Sequence, residues 1–341
     1  MFTLPRLIAC LAAAGGAAGF LALGFPLPLL LGPMFGCLVV ALAGAPLQGM
    51  GTLGTAMRTL LGVAIGTTVT PELVAELPGL GPTLALIPLF VLAIGLVGYP
   101  FFRRVMGYDH PTAFYSAMPG GLQDMLIFGE EAGGNVRAMS LVHATRVLVI
   151  VTAAPVVLTL LHGTDLTRPP GAPLREFDEG QLVLMVAAGL IGWRVAARLG
   201  LFGASILGPL ILAAALRLTG ILQSRPPAEL IWLAQFFIGL AVGAKYTGIT
   251  GAELRRDVAA GLGYALLLAA ISLVFVELAL WLRPGGGIET PLAFLPGGQA
   301  EMAVIAMVAG ADVAFVVAHH LSRIFLVILF APVAARLLRK G

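Results

Sequence analysis

Two stretches of the chain pair a helix breaker with a carboxylate. Residues 117–125 read AMPGGLQDM, and residues 294–302 read FLPGGQAEM. Each holds a Pro-Gly-Gly (Pro119, Gly120 and Gly121; Pro296, Gly297 and Gly298), a glutamine (Gln123; Gln299) and an acid (Asp124; Glu301). Proline lacks the backbone N–H and glycine weakens a helix, so the triplet frees backbone donors and acceptors. It also lets a short helix begin near Gln123. The start of such a helix carries partial positive charge and free N–H groups, which suits an anionic ligand group. The two acids suit proton uptake and release, or oxygen ligation of a sodium ion. Downstream, His143 with Arg146 and His320 with Arg323 share i, i+3 spacing, which puts each pair on one helix face. An arginine fork holds a carboxylate or phosphate bidentately. The alternative is a static brace, each arginine neutralising the acid of its own stretch.

The medium around these groups is apolar. Of 341 residues, 59% are hydrophobic and 11% charged, and mean hydropathy is +1.00. Soluble domains carry about 25% charged residues, so this composition implies an all-α polytopic membrane protein. The formal charge of +3 comes from basic residues scattered between apolar runs, a pattern of orientation signals and not of a nucleic-acid stripe. Cys10 and Cys37 read as small buried hydrophobes, with no disulfide or metal framework. Arg6 and the Ala/Gly-rich run after it resemble a signal peptide. A counterpart later in the chain makes that run the first span of a repeated unit instead.

Twelve apolar segments approach the length needed to cross about 30 Å of hydrocarbon. They lie near 6–24, 27–45, 50–70, 82–102, 113–131 and 135–161, then 181–199, 204–222, 229–250, 257–282, 292–309 and 312–336. Residues 1–165 read as one repeat, 166–180 as a polar linker and 181–341 as a second repeat. Residues 119–156 align without a gap on 296–333, with 12 of 38 positions identical, where such skewed composition gives roughly four by chance. LGP at 31–33 pairs with 207–209, and GVAIG at 62–66 with GLAVG at 239–243. The Gly62/Gly66 and Gly239/Gly243 spacings predict close helix packing. Gly-Pro at 32–33 and 208–209 predicts a kink or a helix start, and Lys245 an end that reaches the interface. His319 lacks a counterpart and Glu277 a partner, so neither is given a role.

Lysine and arginine accumulate on the cytoplasmic side of a membrane. Setting aside four arginines inside apolar segments leaves sixteen basic residues. Twelve crossings put ten of them inside. Re-entrant PGG segments put twelve inside. The expected architecture is therefore two inverted repeats, each of about five transmembrane helices plus one broken or re-entrant PGG segment, with both termini cytoplasmic in a bacterial inner membrane.

Neither HExxH, Walker A nor G-x-S-x-G occurs, and the five histidines are dispersed, so enzymatic chemistry and a bound cofactor are not expected. The duplicated PGG…[DE]M segment, each copy followed by an H..R helix ending in APV, resembles the AbrB-type duplicated membrane proteins, often labelled ammonia monooxygenases or AbrB regulators. The chain encodes neither the metal or flavin of a monooxygenase nor the soluble basic domain of a DNA-binding regulator. The helix-broken, duplicated plan is similar to elevator-type anion transporters. The resulting expectation is a secondary active transporter, elevator or rocking, for a small organic anion, carboxylate or amino acid, coupled to protons or sodium. Its binding set is Pro119, Gly120, Gly121, Gln123, Asp124, His143, Arg146, Pro296, Gly297, Gly298, Gln299, Glu301, His320 and Arg323. Its partners are a small-molecule substrate, the lipid bilayer and a second copy in a homodimer, without nucleic acid. The rival readings are a channel or passive pore and, behind it, a membrane monooxygenase.

Overall fold

The computed structural model describes residues 3–71, 74, 77–163, 166, 172–201, 203–283 and 286–339, without the side chains of residues 77, 78, 123, 161, 162 and 339. Most of the expected linker's first half, 167–171, lies outside the described residues. Among the described residues all regular structure is helical. The first half forms α1 (Leu4–Ala22), α2 (Pro28–Leu42), α3 (Thr52–Gly66), α4 (Gly81–Val105), α5 (His110–Ala117), α6 (Leu122–Glu131) and α7 (Val136–His162). The second half repeats that order as α8 (Glu179–Arg198), α9 (Ala204–Leu218), α10 (Ala228–Gly243), α11 (Gly251–Leu282), α12 (Glu289–Phe294), α13 (Gln299–Val308) and α14 (Val313–Arg339).

Seven of the described helices are long and apolar enough to cross a membrane: α1, α4, α7, α8, α10, α11 and α14. The chain is a multi-pass membrane protein. The first helix is built inside out relative to soluble ones. On α1 the buried face is Ala9, Ala13 and Ala17, while Leu4 and Leu11 are 68% and 64% exposed. Small residues let helix backbones approach, and leucine suits lipid. The other apolar segments come out shorter than expected. The run near 27–45 yields only Pro28–Leu42, because Leu27 and Gly44 bracket it in left-handed conformations.

The chain divides into two compact units, and each unit takes material from both halves of the sequence. The first comprises residues 1–78, 155–248 and 303–314, with α1–α3 and α8–α10. Here α2 packs on α1 and α10, and α9 packs on α8 and α3. The third helix of each half thus lies against the second helix of the other. A Cβ at Gly62 or Gly66 would meet the carbonyl oxygens of Ile206 or Leu210. A Cβ at Gly239 or Gly243 would meet those of Leu30 or Met34. The expected close packing is present, and it exchanges helices between the repeats. Pro33 and Pro209 fall inside α2 and α9, so the Gly-Pro pairs do not start these helices. The helices start after Leu27 (φ 46°) and Gly203 (φ 58°). A left-handed leucine costs about 1–2 kcal/mol, and Leu27 holds that geometry with its side chain buried. Lys245 is exposed just past α10.

The second unit comprises residues 79–154, 249–302 and 315–341. It contains α4–α6, α11, α12 and most of α7 and α14. Phe90 of α4, Phe275 of α11 and Phe294 of α12 share a ring cluster, with Phe90 centroids 5.1 Å from Phe275 and 5.6 Å from Phe294. Beyond the end of α4, the Tyr108 hydroxyl donates to Asp257 at 2.6 Å and Arg256 lies over the Tyr108 ring. Burial first, then the Asp257 carboxylate, pushes the Tyr108 phenol above its ordinary ionisation range.

Candidate functional site

Both PGG stretches are helix breaks within the second unit. Asp109 caps the start of α5 by accepting from Thr112 N–H at 2.9 Å. The helix ends at Ala117, because Met118 precedes proline and takes extended backbone (ψ 131°). Likewise α12 ends at Phe294, and Leu295 before Pro296 is extended (ψ 122°). New helices start past the glycines: α6 at Leu122, one residue before the expected Gln123, and α13 at Gln299. Asn135 then caps α7, accepting from Ala138 N–H at 3.0 Å, while its own N–H donates to Thr112 at 2.8 Å.

None of the four triplet glycines has a positive φ, so a left-handed turn is not what demands them. Close approach explains the first glycine of each triplet. A Cβ on Gly120 would lie 3.0 Å from Met125 Sδ and 3.0 Å from Val327 Cγ1. A Cβ on Gly297 would lie 2.6 Å from Met302 Sδ and 3.3 Å from Ile150 Cγ2. Both methionines are fully buried. Ile150 and Val327 occupy equivalent positions in α7 and α14, so each break packs against the long helix of the other repeat.

A broken helix in an apolar medium must have its carbonyls satisfied by protein. Here side chains do it. His143 Nε2 donates to Tyr115 O at 3.0 Å, and His320 Nε2 to Leu292 O at 3.0 Å. These acceptors sit at equivalent positions. A carbonyl partner places the proton on Nε2 and leaves Nδ1 as an acceptor. Both histidines are buried, and both Nδ1 atoms lack a partner. One residue before each extended linker, the Tyr264 hydroxyl donates to Ala117 O and the Ser272 hydroxyl donates to Phe294 O at 3.0 Å. Both hydroxyls come from α11. No repeat motif marks them, so sequence reasoning missed them. The available signal was their place on one apolar helix, along the buried stripe Tyr264, Leu268, Ser272.

Arg146 Nη1 reaches Met118 O at 3.5 Å. Arg146 and Arg323 are each 3% exposed, and their positive charges repel one another. Arg146 Nε and Arg323 Nε and Nη1 have no hydrogen-bond partner. Among the described residues neither guanidinium forms an ion pair. The static brace between each arginine and its own acid is therefore not what the geometry contains. Asp124 lies half-buried in the first turn of α6, with Oδ2 unpartnered. The Glu301 carboxylate folds over Gly298, where a Cβ would collide with it. Gln299 Nε2 is buried without a partner, and the side chain of Gln123 lies outside the described residues. His319 is tied to Phe315 O and Thr83 Oγ1, with its ring 5.5 Å from that of Phe294 at the end of α12, and Glu277 is exposed on α11. A cavity of about 210 Å³ opens at the start of α5, lined by His110, Tyr115, Glu131 and Arg336 among others. It lies beyond the breaks, sharing Tyr115 with the His143 contact. Among the described residues no three His, Cys, Asp or Glu side chains cluster as metal ligands.

The model of the family described as Transition state regulatory protein AbrB matches residues 29–339. The chain belongs to the AbrB family. A relative in Escherichia coli (strain K12), which carries the name regulator AbrB, is 26% identical over 324 residues, covering 93% of this chain and 92% of its own. Protein YhjN of Bacillus subtilis (strain 168) is 28% identical over 303 residues, covering 82% of this chain and 77% of its own. Across 29–339 the AbrB-family match takes in both breaks, both arginines and all of α11.

Proposed function

We propose that this AbrB-family chain is a secondary active transporter for a small organic anion in a bacterial inner membrane. The observation that carries the reading is the pair of buried guanidiniums with unpartnered donors beside two helix breaks. Buried ionisable groups in a membrane protein cluster on substrate and ion pathways, and paired helix interruptions in two halves point to a transporter's binding site. Asp124 and Glu301 couple transport to protons or sodium, and no prosthetic group takes part. Two compact units, each assembled from both repeats, suit an elevator or rocking motion. The loop charges favour inverted repeats with both termini cytoplasmic.

The test is counterflow in proteoliposomes with labelled carboxylates and amino acids. A carrier gives saturable exchange, accelerated by substrate on the far side. A non-saturating flux without counterflow means a pore and overturns the reading. The Asp124→Asn and Glu301→Gln variants address coupling. Unchanged transport with unchanged pH and sodium dependence in both makes the acids structural.

A further inference from the structure

Arg146 and Arg323 leave a charge unbalanced. Taking an ion out of water costs several kcal/mol unless a counter-charge and hydrogen bonds replace the water. Here two cations are buried to 3% exposure, repel each other, and keep three guanidinium nitrogens without acceptors. No described carboxylate lies within ion-pair distance of either. The missing element is negative charge, and the deficit is two.

Position says where that charge belongs. Arg146 touches the carbonyl of Met118 at the first break. One helical turn further on, Ile150 packs on Gly297 at the second break. Arg323 stands one turn before Val327, which packs on Gly120 at the first break. Arg146 is thus flanked by both breaks, Arg323 stands beside the first, and the two occupy equivalent positions in the repeats. The unpartnered donors come from two separate helices, Nε of Arg146 on α7 and Nε and Nη1 of Arg323 on α14. The first turn of α6 adds backbone N–H groups, with no cap from its N-cap residue Gly121.

We propose that the site takes a dicarboxylate, with one carboxylate on each guanidinium. The inference rests on the anion-transport reading above and narrows it. A monocarboxylate leaves one buried cation bare. An amino acid is worse, since its ammonium faces a second guanidinium. A two-ended dianion supplies both missing charges, one carboxylate at each guanidinium.

The experiment is calorimetric binding to the purified full chain in detergent. The probes are malonate, succinate and glutarate, their monomethyl esters, butyrate, alanine and inorganic phosphate. The best diacid is expected to bind about a hundredfold more tightly than its monoester, because the ester strips one buried cation of its partner. Arg146→Gln and Arg323→Gln should each reduce that preference to about threefold or less, with helical content and elution profile unchanged. Should the variants misfold, the wild-type ratio of diacid to monoester decides alone. Equal affinity for diacid and monoester overturns the dicarboxylate assignment and leaves anion transport standing. Phosphate binding above every diacid overturns it in favour of a single-centred oxyanion. Absence of binding by every carboxylate, together with absence of counterflow, overturns the transport reading and this inference with it.

Discussion

Alanine at Gly120 tests whether the methionine explains the glycine. The new Cβ would lie 2.7 Å from Met125 Cε, 3.0 Å from its Sδ and 3.0 Å from Val327 Cγ1. The thioether end can swing away. Val327 is β-branched, sits on α14 and cannot. Overpacking of this kind costs about 1–3 kcal/mol, and a partly movable neighbour sets Gly120→Ala at about 1–2 kcal/mol. At Gly297 the neighbour is stiffer, because the Cβ would also lie 2.7 Å from Met302 Cγ, close to the main chain. Gly297→Ala therefore falls at the upper end, about 2–3 kcal/mol. Truncating fully buried Met125 to alanine costs about 2–5 kcal/mol through the cavity it leaves. The methyl at residue 120 fills part of that cavity, so Gly120→Ala with Met125→Ala should cost about 1–2 kcal/mol less than the sum. The assay is a double-mutant cycle by denaturant titration in mixed micelles, read by helical circular dichroism, repeated at Gly297 and Met302. Coupling below about 0.5 kcal/mol in both cycles refutes the packing account of the motif.

Tyr264→Phe and Ser272→Ala each strand a buried carbonyl at a break, a loss of about 1–3 kcal/mol in the same titration; a loss near zero means water replaces the hydroxyl. Adjacent glycines on α1 should part company. Gly15 has open space around it and Gly16 meets the Gly32 carbonyl, so Gly15→Ala gains about 0.5–1 kcal/mol and Gly16→Ala loses about 1–3 kcal/mol; equal midpoints contradict the α1–α2 contact. Arg137 and Glu253 pair at 2.9 Å with side chains 39% and 23% exposed, so Arg137→Ala should cost less than about 1 kcal/mol and less still in high salt; a larger, salt-independent loss contradicts a solvent-screened pair. The Tyr108 phenol ionises above its unfolded value, so its contribution is complete below about pH 10 and lost as pH climbs past that. Tyr108→Phe should therefore lower stability by an equal amount across about pH 6–9, and a loss that varies within that window contradicts the Asp257 hydrogen bond.

The helix breaks were readable because proline and glycine impose their restrictions through covalent structure alone. The repeat was readable because two copies of one solution keep the same residues at one offset. The fold adds partners, which no local pattern carries. Gly62 and Gly66 announce close packing, but not that α9 of the other repeat fills the space. Arg146 and Arg323 announce a polar face, but not that Asp124 stays clear of them. His143 and His320 read as ligand groups, and the structure puts their Nε2 atoms on the carbonyls of the broken helices, leaving only Nδ1 toward other partners. Tyr264 and Ser272 were invisible because a hydroxyl on an apolar helix makes no pattern until its acceptor is known. Helix lengths were overestimated where left-handed residues such as Leu27 and Gly44 cut an apolar run without changing its hydropathy.

The two hydroxyls on α11 make the halves of the duplicated chain unequal. At the offset that relates the two breaks, Tyr264 and Ser272 correspond to Ile87 and Gly95 in α4. Neither can donate a hydrogen bond from its side chain. The copies of a duplicated segment begin interchangeable, each serving its own break. Here one copy serves both, and its twin serves neither. Two first halves joined together would have neither donor, whereas two second halves would have four. The labour is divided unequally, and the two halves are not substitutes for one another.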